Sequence, residues 1–196
     1  QKLGLRALVR LDPALAKWGD LCDQQIQERV RKLVADTQSN PAVLGYFLAD
    51  EPSVTEFPAL AKAVAAIKKL APGKLAYINL FPDYAKLGAP NLSQIGTKTY
   101  EEYLDQYVNI VHPQFISYDN YRVQFSRDLK RPEMAASFFQ NLLQVREVGL
   151  AHDLPVWTVV SSNEVRPFTP PPSPANMLLQ AYVPLAAGVH GLTWFT

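Results

Sequence analysis

The sequence predicts an α/β fold: an incomplete (β/α)8 barrel of about six parallel strands with flanking helices, formed by a single domain over residues 1–196. Short apolar runs alternate with segments whose apolar residues recur at helical spacing, from one end of the chain to the other. Strict alternation of strands and helices indicates a parallel sheet with right-handed crossovers. Polar or aromatic side chains stand at nearly every predicted strand end, as a site ringed by strand ends requires. A complete eight-unit barrel needs about 250 residues, so we expect the first two units and the last helix to be missing.

The strands are predicted from apolar runs that turn residues bound on either side. In chain order, these runs cover residues 5–11, 43–51, 75–81, 115–119, 155–161 and 191–196. The second run is continuously apolar until its two final carboxylates, which is typical of a strand buried on both faces.

Helices are predicted between the strands from apolar residues that share one face. They cover about residues 20–37, 55–70, a segment that Thr99-x-x-Glu102 caps, about 132–151, and a segment that Gly188 ends. The positions expected to face the core are Ile26, Val30, Leu33, Val34, Leu60, Val64, Ile67, Leu104, Tyr107, Val108, Val111, Phe138, Leu142 and Val145. The apolar residues of the last helix are Met177, Leu178, Ala181 and Leu185.

A complete, doubly wound open sheet is the alternative interpretation of the same alternation. Against it, no G-x-G-x-x-G follows any predicted strand, and the sequence has no glycine-rich phosphate turn. The incomplete barrel is therefore favoured. Because an opened barrel leaves two sheet edges unsealed, we expect a homo-oligomer that covers these edges, or a structural rearrangement that closes the gap.

Composition narrows the classes of partner and gives no indication of a cofactor. The formal net charge is +1, from 19 basic and 18 acidic side chains, so neither a nucleic-acid nor a membrane partner is predicted. Cys22 is the only cysteine, which excludes an internal disulfide and a cysteine-built zinc site. The three histidines are scattered along the sequence. No metal or organic cofactor is predicted.

The stretch from residue 43 to residue 53 contains the strongest candidate for a catalytic group. The predicted strand ends in Asp50 and Glu51, and Pro52 stops it. Ser53-x-x-Glu56 matches a capping box that would open the next helix. The carboxyl ends of parallel strands carry the chemistry in α/β folds. We therefore expect Glu51 at the mouth of the sheet, with its backbone fixed on both sides.

Other strand ends add groups that suit a carbohydrate. Aromatic rings stack on the C–H face of a sugar, while acids and amides bind its hydroxyl groups. The residues predicted to bind substrate are Arg10, Asp50, Asn79, Phe81, Tyr118, Tyr121, Asn163 and Trp194. A carbohydrate is therefore the predicted partner.

Glycoside hydrolysis needs one protonated carboxyl group to release the leaving group and one ionised carboxylate as nucleophile or base. Glu51 is the predicted acid. Two residues compete for the second role: Glu164, three residues beyond Ser161, and Asp119, which lies closer to its strand end. Glu164 ranks slightly ahead. Two carboxylates suffice for this chemistry without a cofactor.

On these residues the chain resembles the clan A glycoside hydrolases. That clan has an Asn-Glu-Pro signature at the end of the fourth barrel strand, which Ala49-Asp50-Glu51-Pro52 matches here. The segment 191–196 also resembles the eighth strand of β-galactosidase-like members. The resemblance implies that the six strands are the third to the eighth, that Glu51 is the acid/base, and that a second Glu after the seventh strand is the nucleophile of a retaining mechanism.

The sequence departs from the clan pattern at two places. Asp50 replaces the clan's Asn, so it can contact the sugar's 2-hydroxyl as an acceptor only. Val159-Val160-Ser161-Ser162 occupies the strand tip where the clan has its nucleophile, so Glu164 is a displaced candidate. The leading hypothesis is a glycoside hydrolase that cleaves a β-linked sugar. Its rivals are a catalytically inactive carbohydrate-binding remnant and a fragment of a larger barrel enzyme.

Overall fold

The computed structural model describes residues 4–10, 17–87, 93–125, 130–164 and 171–195. The chain divides into two compact units. The first consists of Gln1–Asn79 and Gly88–Gln114, and the second consists of Leu80–Leu87 and Phe115–Thr196.

The first unit contains the first three strands and their helices. The strands are β1 (Ala7–Arg10), β2 (Val43–Asp50) and β3 (Leu75–Leu80), and the last residue of β3 counts with the second unit. β1 pairs with β2, and β2 pairs with β3, in both cases in parallel. The helices are α1 (Asp23–Ala35), α2 (Phe57–Leu70) and α3 (Tyr100–Gln106), and α3 continues into a π-helical turn over Tyr107–Val111.

The second unit contains the other three strands. These are β4 (Ile116–Asp119), β5 (Val156–Ser161) and β6 (Gly191–Phe195), and the predicted last residue of the sixth strand, Thr196, lies outside the described residues. β4 pairs with β5, and β5 pairs with β6, again in parallel. The helices are α4 (Pro132–Ala151) and α5 (Pro174–Ala186).

The predicted fold class is confirmed. Six parallel strands follow one another in chain order and are flanked by helices, as in an incomplete α/β barrel. Every apolar position that helical spacing assigned to the core on the first four helical segments is buried. Thr99 also caps α3 as predicted, because its side chain accepts a hydrogen bond from the N–H of Glu102. Among the described helices, none combines the length and the hydropathy that a bilayer-crossing segment needs.

The predicted capping box at the start of α2 is wrong. The Ser53 side chain makes no capping hydrogen bond, and its Oγ lies 2.6 Å from Thr55 Oγ1. A short 3-10 turn over Val54–Glu56 separates Ser53 from the helix. The neighbouring hydroxyl has therefore replaced the helix N–H as the partner of Ser53.

α5 buries a polar residue, Gln180, although the sequence of this helix is mostly apolar. Gln180 is fully buried, whereas Leu178 and Leu185 are 57% and 45% exposed. The side chain of Gln180 accepts a hydrogen bond from Ser161 N (3.1 Å) and donates one to Ser161 O (3.3 Å). α5 therefore contacts the end of β5 through the N–H and C=O of Ser161. The spacing of apolar residues cannot predict such a contact.

Neighbouring residues of β2 point to opposite faces of the sheet. Tyr46 is fully buried, and its hydroxyl oxygen accepts a hydrogen bond from Thr37, which follows α1 (3.2 Å). Phe47 lies on the other face and stacks on Tyr77, with ring centroids 5.1 Å apart. Gly45 pairs with Leu75, and a Cβ at Gly45 would lie 2.3 Å from Leu75 O. Only glycine lets β3 approach β2 at this point.

Replacing Gly45 with alanine is expected to lower the free energy of unfolding by about 1–3 kcal/mol, because the backbone of β3 has to move away. Gly19→Ala is the matched control, since a Cβ there meets nothing closer than 3.5 Å. Urea denaturation of both variants measures the difference. An unchanged midpoint for Gly45→Ala would contradict the close approach of the two strands.

Candidate active site

Glu51 follows β2 directly and has an unusual backbone conformation. Its φ is +49°, in the left-handed region that residues other than glycine seldom adopt. Its N–H donates a hydrogen bond to Asn79 O (2.8 Å), which extends the pairing of β2 with β3 past the end of β2. Such backbone conformations cost of order 1–3 kcal/mol and cluster at functional sites. The half-buried side chain of Glu51 therefore leaves the sheet from a fixed backbone.

The turn after Glu51 is also held by hydrogen bonds with residues that precede and form α3. Tyr103 of α3 is fully buried and donates its hydroxyl hydrogen to Pro52 O (2.7 Å). The N–H of Val54 donates to Ile95 O (3.1 Å). Contacts therefore fix the backbone both at Glu51 and just beyond it.

Asp50 and Asn79 form a polar pair next to Glu51. They are opposite each other in the register of β2 and β3, and Asn79 Nδ2 donates to Asp50 Oδ1 (3.3 Å). Asp50 is exposed, whereas Asn79 is only 3% exposed. The carboxylate is therefore available to a ligand, while the amide that contacts it is buried.

A row of side chains crosses the three strands of the first unit. Arg10, Phe47 and Tyr77 are register partners. The guanidinium carbon of Arg10 lies 5.0 Å from the Phe47 ring centroid, a cation–π contact, and Phe47 stacks in turn on Tyr77. The first unit therefore has four predicted site residues at or just beyond the carboxyl ends of its strands: Arg10, Asp50, Glu51 and Asn79.

In the second unit, β4 ends in two buried residues that the sequence assigned to the site. Asp119 is 5% exposed and Tyr118 is fully buried. Burial raises the pKa of the Tyr118 hydroxyl above its usual range, and the negative charges of Asp83 and Asp119 raise it further. The phenol is therefore neutral at physiological pH. A fully buried ring offers no face to a sugar in this structure.

Asn141 of α4 ties together two chain segments near Asp119. It is fully buried, and its Oδ1 accepts hydrogen bonds from the N–H of Asp83 (3.2 Å) and from Asn120 Nδ2 (2.9 Å). Asn120 Oδ1 accepts in turn from the N–H of Arg122 (3.0 Å). These amide contacts set the course of the backbone immediately after β4.

Hydrogen bonds at the end of β5 hold the backbone of Asn163, the residue that precedes Glu164. Ser161 Oγ and Gln124 Nε2 both donate to Asn163 O, over 2.9 Å and 3.0 Å. Glu164 follows and is exposed. The predicted substrate ligand Asn163 is therefore held through its backbone carbonyl, and the predicted second carboxylate is open to solvent.

Two aromatic residues at the end of β6 are exposed, Trp194 by 41% and Phe195 by 45%. The ring of Phe195 lies 5.7 Å from that of Tyr121, centroid to centroid. Because neighbours in a strand point to opposite faces, Phe195 lies on the face of β6 that meets Tyr121, and the predicted substrate ligand Trp194 lies on the other face. Phe81, also predicted to bind substrate, is only 8% exposed.

Sequence reasoning missed the buried amides that support the strand ends. Asn141 shares the core face of α4 with Phe138, Leu142 and Val145, and Gln180 occupies the buried face of α5. A polar residue at a core-facing position was the signal that could have found Asn141. Within the described ranges, no group of three or more His, Cys, Asp and Glu residues is placed to hold a metal ion.

No family model matches the sequence, and no curated protein matches it. The fold is similar to that of the "putative alpha-L-fucosidase" from Bacteroides thetaiotaomicron VPI-5482, with 12% identity and a TM-score of 0.58 over 88% of this chain and 52% of the other. It is also similar to a GH5_18 variant from Streptomyces cattleya in complex with Manb1-4GlcNAc, with 17% identity and a TM-score of 0.54 over 97% and 46%. The chain spans about half the length of these two proteins and shares their fold over that part.

Removing the Tyr103 hydroxyl is expected to loosen the turn after Glu51. Tyr103→Phe leaves the buried carbonyl of Pro52 without this donor, which should lower the free energy of unfolding by about 1–3 kcal/mol. Tyr182→Phe is the matched control, because Tyr182 is 65% exposed. Thermal unfolding of the two variants tests the expectation, and equal melting temperatures would argue against Tyr103 as an anchor.

Proposed function

We propose that this chain is a glycosidase that cleaves a β-linked sugar with Glu51 as its general acid/base. The glycosidase-like fold supports the reaction class, and catalytic residues of α/β barrels stand at the carboxyl ends of the strands, as Glu51 does. The sequence resemblance to β-galactosidase-like proteins makes a β-galactoside the first candidate substrate. The Manb1-4GlcNAc bound to the Streptomyces protein makes a β-mannoside the second.

The backbone of Glu51 is the observation that carries this proposal. An acidic residue that merely lies in a solvent-exposed turn needs neither a left-handed φ nor hydrogen bonds that hold the backbone before and after it. At Glu51 the chain has all three: φ of +49°, the hydrogen bond to Asn79 O, and the hydrogen bond from Tyr103 to Pro52 O. A fixed backbone restricts where the carboxyl group can reach, and proton transfer requires such fixed geometry.

In the proposed reaction, protonated Glu51 donates its proton to the glycosidic oxygen as the bond to the leaving group breaks. A carboxylate attacks the anomeric carbon and forms a glycosyl–enzyme ester. Ionised Glu51 then takes a proton from water, whose oxygen displaces the carboxylate and releases the sugar with its configuration retained. No cofactor takes part in these steps.

Glu164 is our first candidate for the attacking carboxylate, and Asp119 is the alternative. Glu164 is exposed and follows a peptide that two side chains hold in place. Asp119 is 5% exposed, so a sugar has little surface of it to reach. Accessibility therefore favours Glu164.

Glu51→Gln is expected to reduce turnover by roughly 10²–10⁴-fold, because the amide keeps the shape of the side chain but has no acidic proton to give. The assay uses aryl β-galactoside, β-glucoside, β-mannoside, β-xyloside and β-N-acetylglucosaminide, with an aryl α-L-fucoside included for the Bacteroides neighbour. Glu147→Gln, an exposed residue of α4, is the matched control. Full activity in Glu51→Gln would refute the assignment.

A folded wild-type chain that turns over none of these glycosides would overturn the enzymatic proposal. Calorimetric titration with the corresponding sugars then separates the two rivals. Binding without turnover would support a carbohydrate-binding remnant. No binding would support a chain whose function requires further barrel units.

The two candidates for the nucleophile are separated by chemical rescue. Glu164→Ala is expected to lose turnover and to regain part of it in sodium azide, because the truncated side chain leaves room for a small anion to attack from the place of the missing carboxylate. The product should be a glycosyl azide of inverted anomeric configuration. Asp119→Ala should show no rescue, and Asp105→Ala, at an exposed site, controls for the substitution. Rescue of Asp119→Ala alone would move the role to Asp119, provided that both variants melt like the wild type.

A further inference from the structure

The contact between Asp50 and Asn79 depends on an irregularity in the sheet. β2 and β3 shift register between Phe47 and Ala49, so that Phe47 pairs with Tyr77 but Ala49 pairs with Ile78. One extra residue on β2 is therefore accommodated, as in a β-bulge. Without this shift Asp50 would lie opposite Leu80. With it, Asp50 lies opposite Asn79.

Asn79 contacts both acidic residues at the end of β2. Its backbone oxygen accepts the hydrogen bond from the N–H of Glu51 (2.8 Å), and its side-chain nitrogen donates to Asp50 Oδ1 (3.3 Å). One residue of β3 thus holds the backbone of Glu51 and the carboxylate of Asp50.

The burial of Asn79 argues against direct recognition of a sugar by this residue. Its exposed fraction is 3%, whereas Asp50 is exposed and Glu51 is half-buried. A ligand that approaches the end of β2 meets the two carboxyl groups before it meets the amide. The amide is therefore placed to orient a neighbouring group rather than the substrate.

We infer that Asn79 is a positioning residue, whose amide fixes the carboxylate of Asp50 beside Glu51 so that Asp50 can accept a hydrogen bond from a sugar hydroxyl. This inference rests on the proposed glycosidase function. In this inference Asp50 binds the sugar hydroxyl. Asn79 does not contact the substrate and acts only through Asp50. An amide suits this role because it donates to a carboxylate without cancelling its charge.

The test exchanges the donor and the acceptor between the two positions. Asn79→Asp faces Asp50 with a second carboxylate, so the hydrogen bond is lost and the two charges repel each other. We expect kcat to fall by about 10- to 100-fold, the range typical for a hydrogen bond to a charged group. The double variant Asp50→Asn/Asn79→Asp restores an amide–carboxylate pair with reversed direction. The Asp50→Asn single variant keeps an oxygen that can accept from a sugar hydroxyl, so its kcat should stay well above that of Asn79→Asp. The kcat of the double variant should recover to within about threefold of the Asp50→Asn single variant, as expected for residues that are coupled.

Two controls separate positioning from a loss of structure. Asn109→Asp introduces the same change at an exposed site of the first unit and should leave kcat and KM unchanged. Melting temperatures of all variants, measured alongside, identify any that are unfolded. A purely structural role predicts that kcat follows the folded fraction, whereas a positioning role predicts a loss of kcat in fully folded protein and its recovery in the exchange variant.

The outcomes distinguish this inference from the function on which it rests. Recovery in the exchange variant supports the positioning role. If the wild type turns over a glycoside but the exchange variant stays as inactive as Asn79→Asp, or if Asn79→Asp raises KM alone, Asn79 is not a positioning residue and the glycosidase function stands. If the wild type turns over no glycoside, both the proposed function and this inference fall together.

Discussion

The parallel pairing of β2 with β3 is the constraint on which the candidate site depends. It starts at Gly45, where the absence of a Cβ lets Leu75 come close, and it continues past the end of β2 to the hydrogen bond between Glu51 N–H and Asn79 O. The register shift between these points decides which residue of β3 lies opposite Asp50. A one-residue change in pairing would turn side chains to the other face of the sheet. The position of Glu51, our proposed acid/base, therefore depends on the geometry of the sheet.

The two units support their strand ends in different ways. In the first unit, backbone hydrogen bonds and one tyrosine hydroxyl hold the turn after Glu51. In the second unit, buried side-chain amides stabilise the strand ends, since Asn141 binds the chain after β4 and Gln180 binds both backbone groups of Ser161 at the end of β5. The Gln180 amide satisfies a donor and an acceptor of Ser161 at once, so one side chain adds two hydrogen bonds at the end of a strand that is already paired with β6.

The parts of the structure that follow from apolar periodicity were predictable. Burial of hydrophobic side chains leaves a regular spacing in the sequence. This spacing predicted the order of strands and helices, the core faces of the first four helical segments, and the end of β2 at Asp50 and Glu51. The capping box at Ser53 is wrong because the hydroxyl contacts Thr55 Oγ1 and makes no capping hydrogen bond. α5 buries Gln180, which makes two hydrogen bonds to Ser161, while Leu178 and Leu185 are exposed. These contacts are between specific atoms, so they leave no periodic trace. The left-handed conformation of Glu51 leaves none either.

The division between exposed carboxylates and buried amides explains why the candidate site was only half visible in the sequence. A group that meets a substrate has to be accessible, as the exposed candidates Asp50 and Glu164 are, and acidic residues after an apolar strand are easily recognised. An exposed side chain is also free to move, which costs precision in a reaction that depends on fixed distances. The restraint has to come from buried neighbours, and Asn79, which is 3% exposed and donates to Asp50, is such a neighbour. The acidic residues of a sequence can therefore identify catalytic candidates. The residues that position them have to be sought among polar residues at positions where the sequence pattern predicts an apolar side chain.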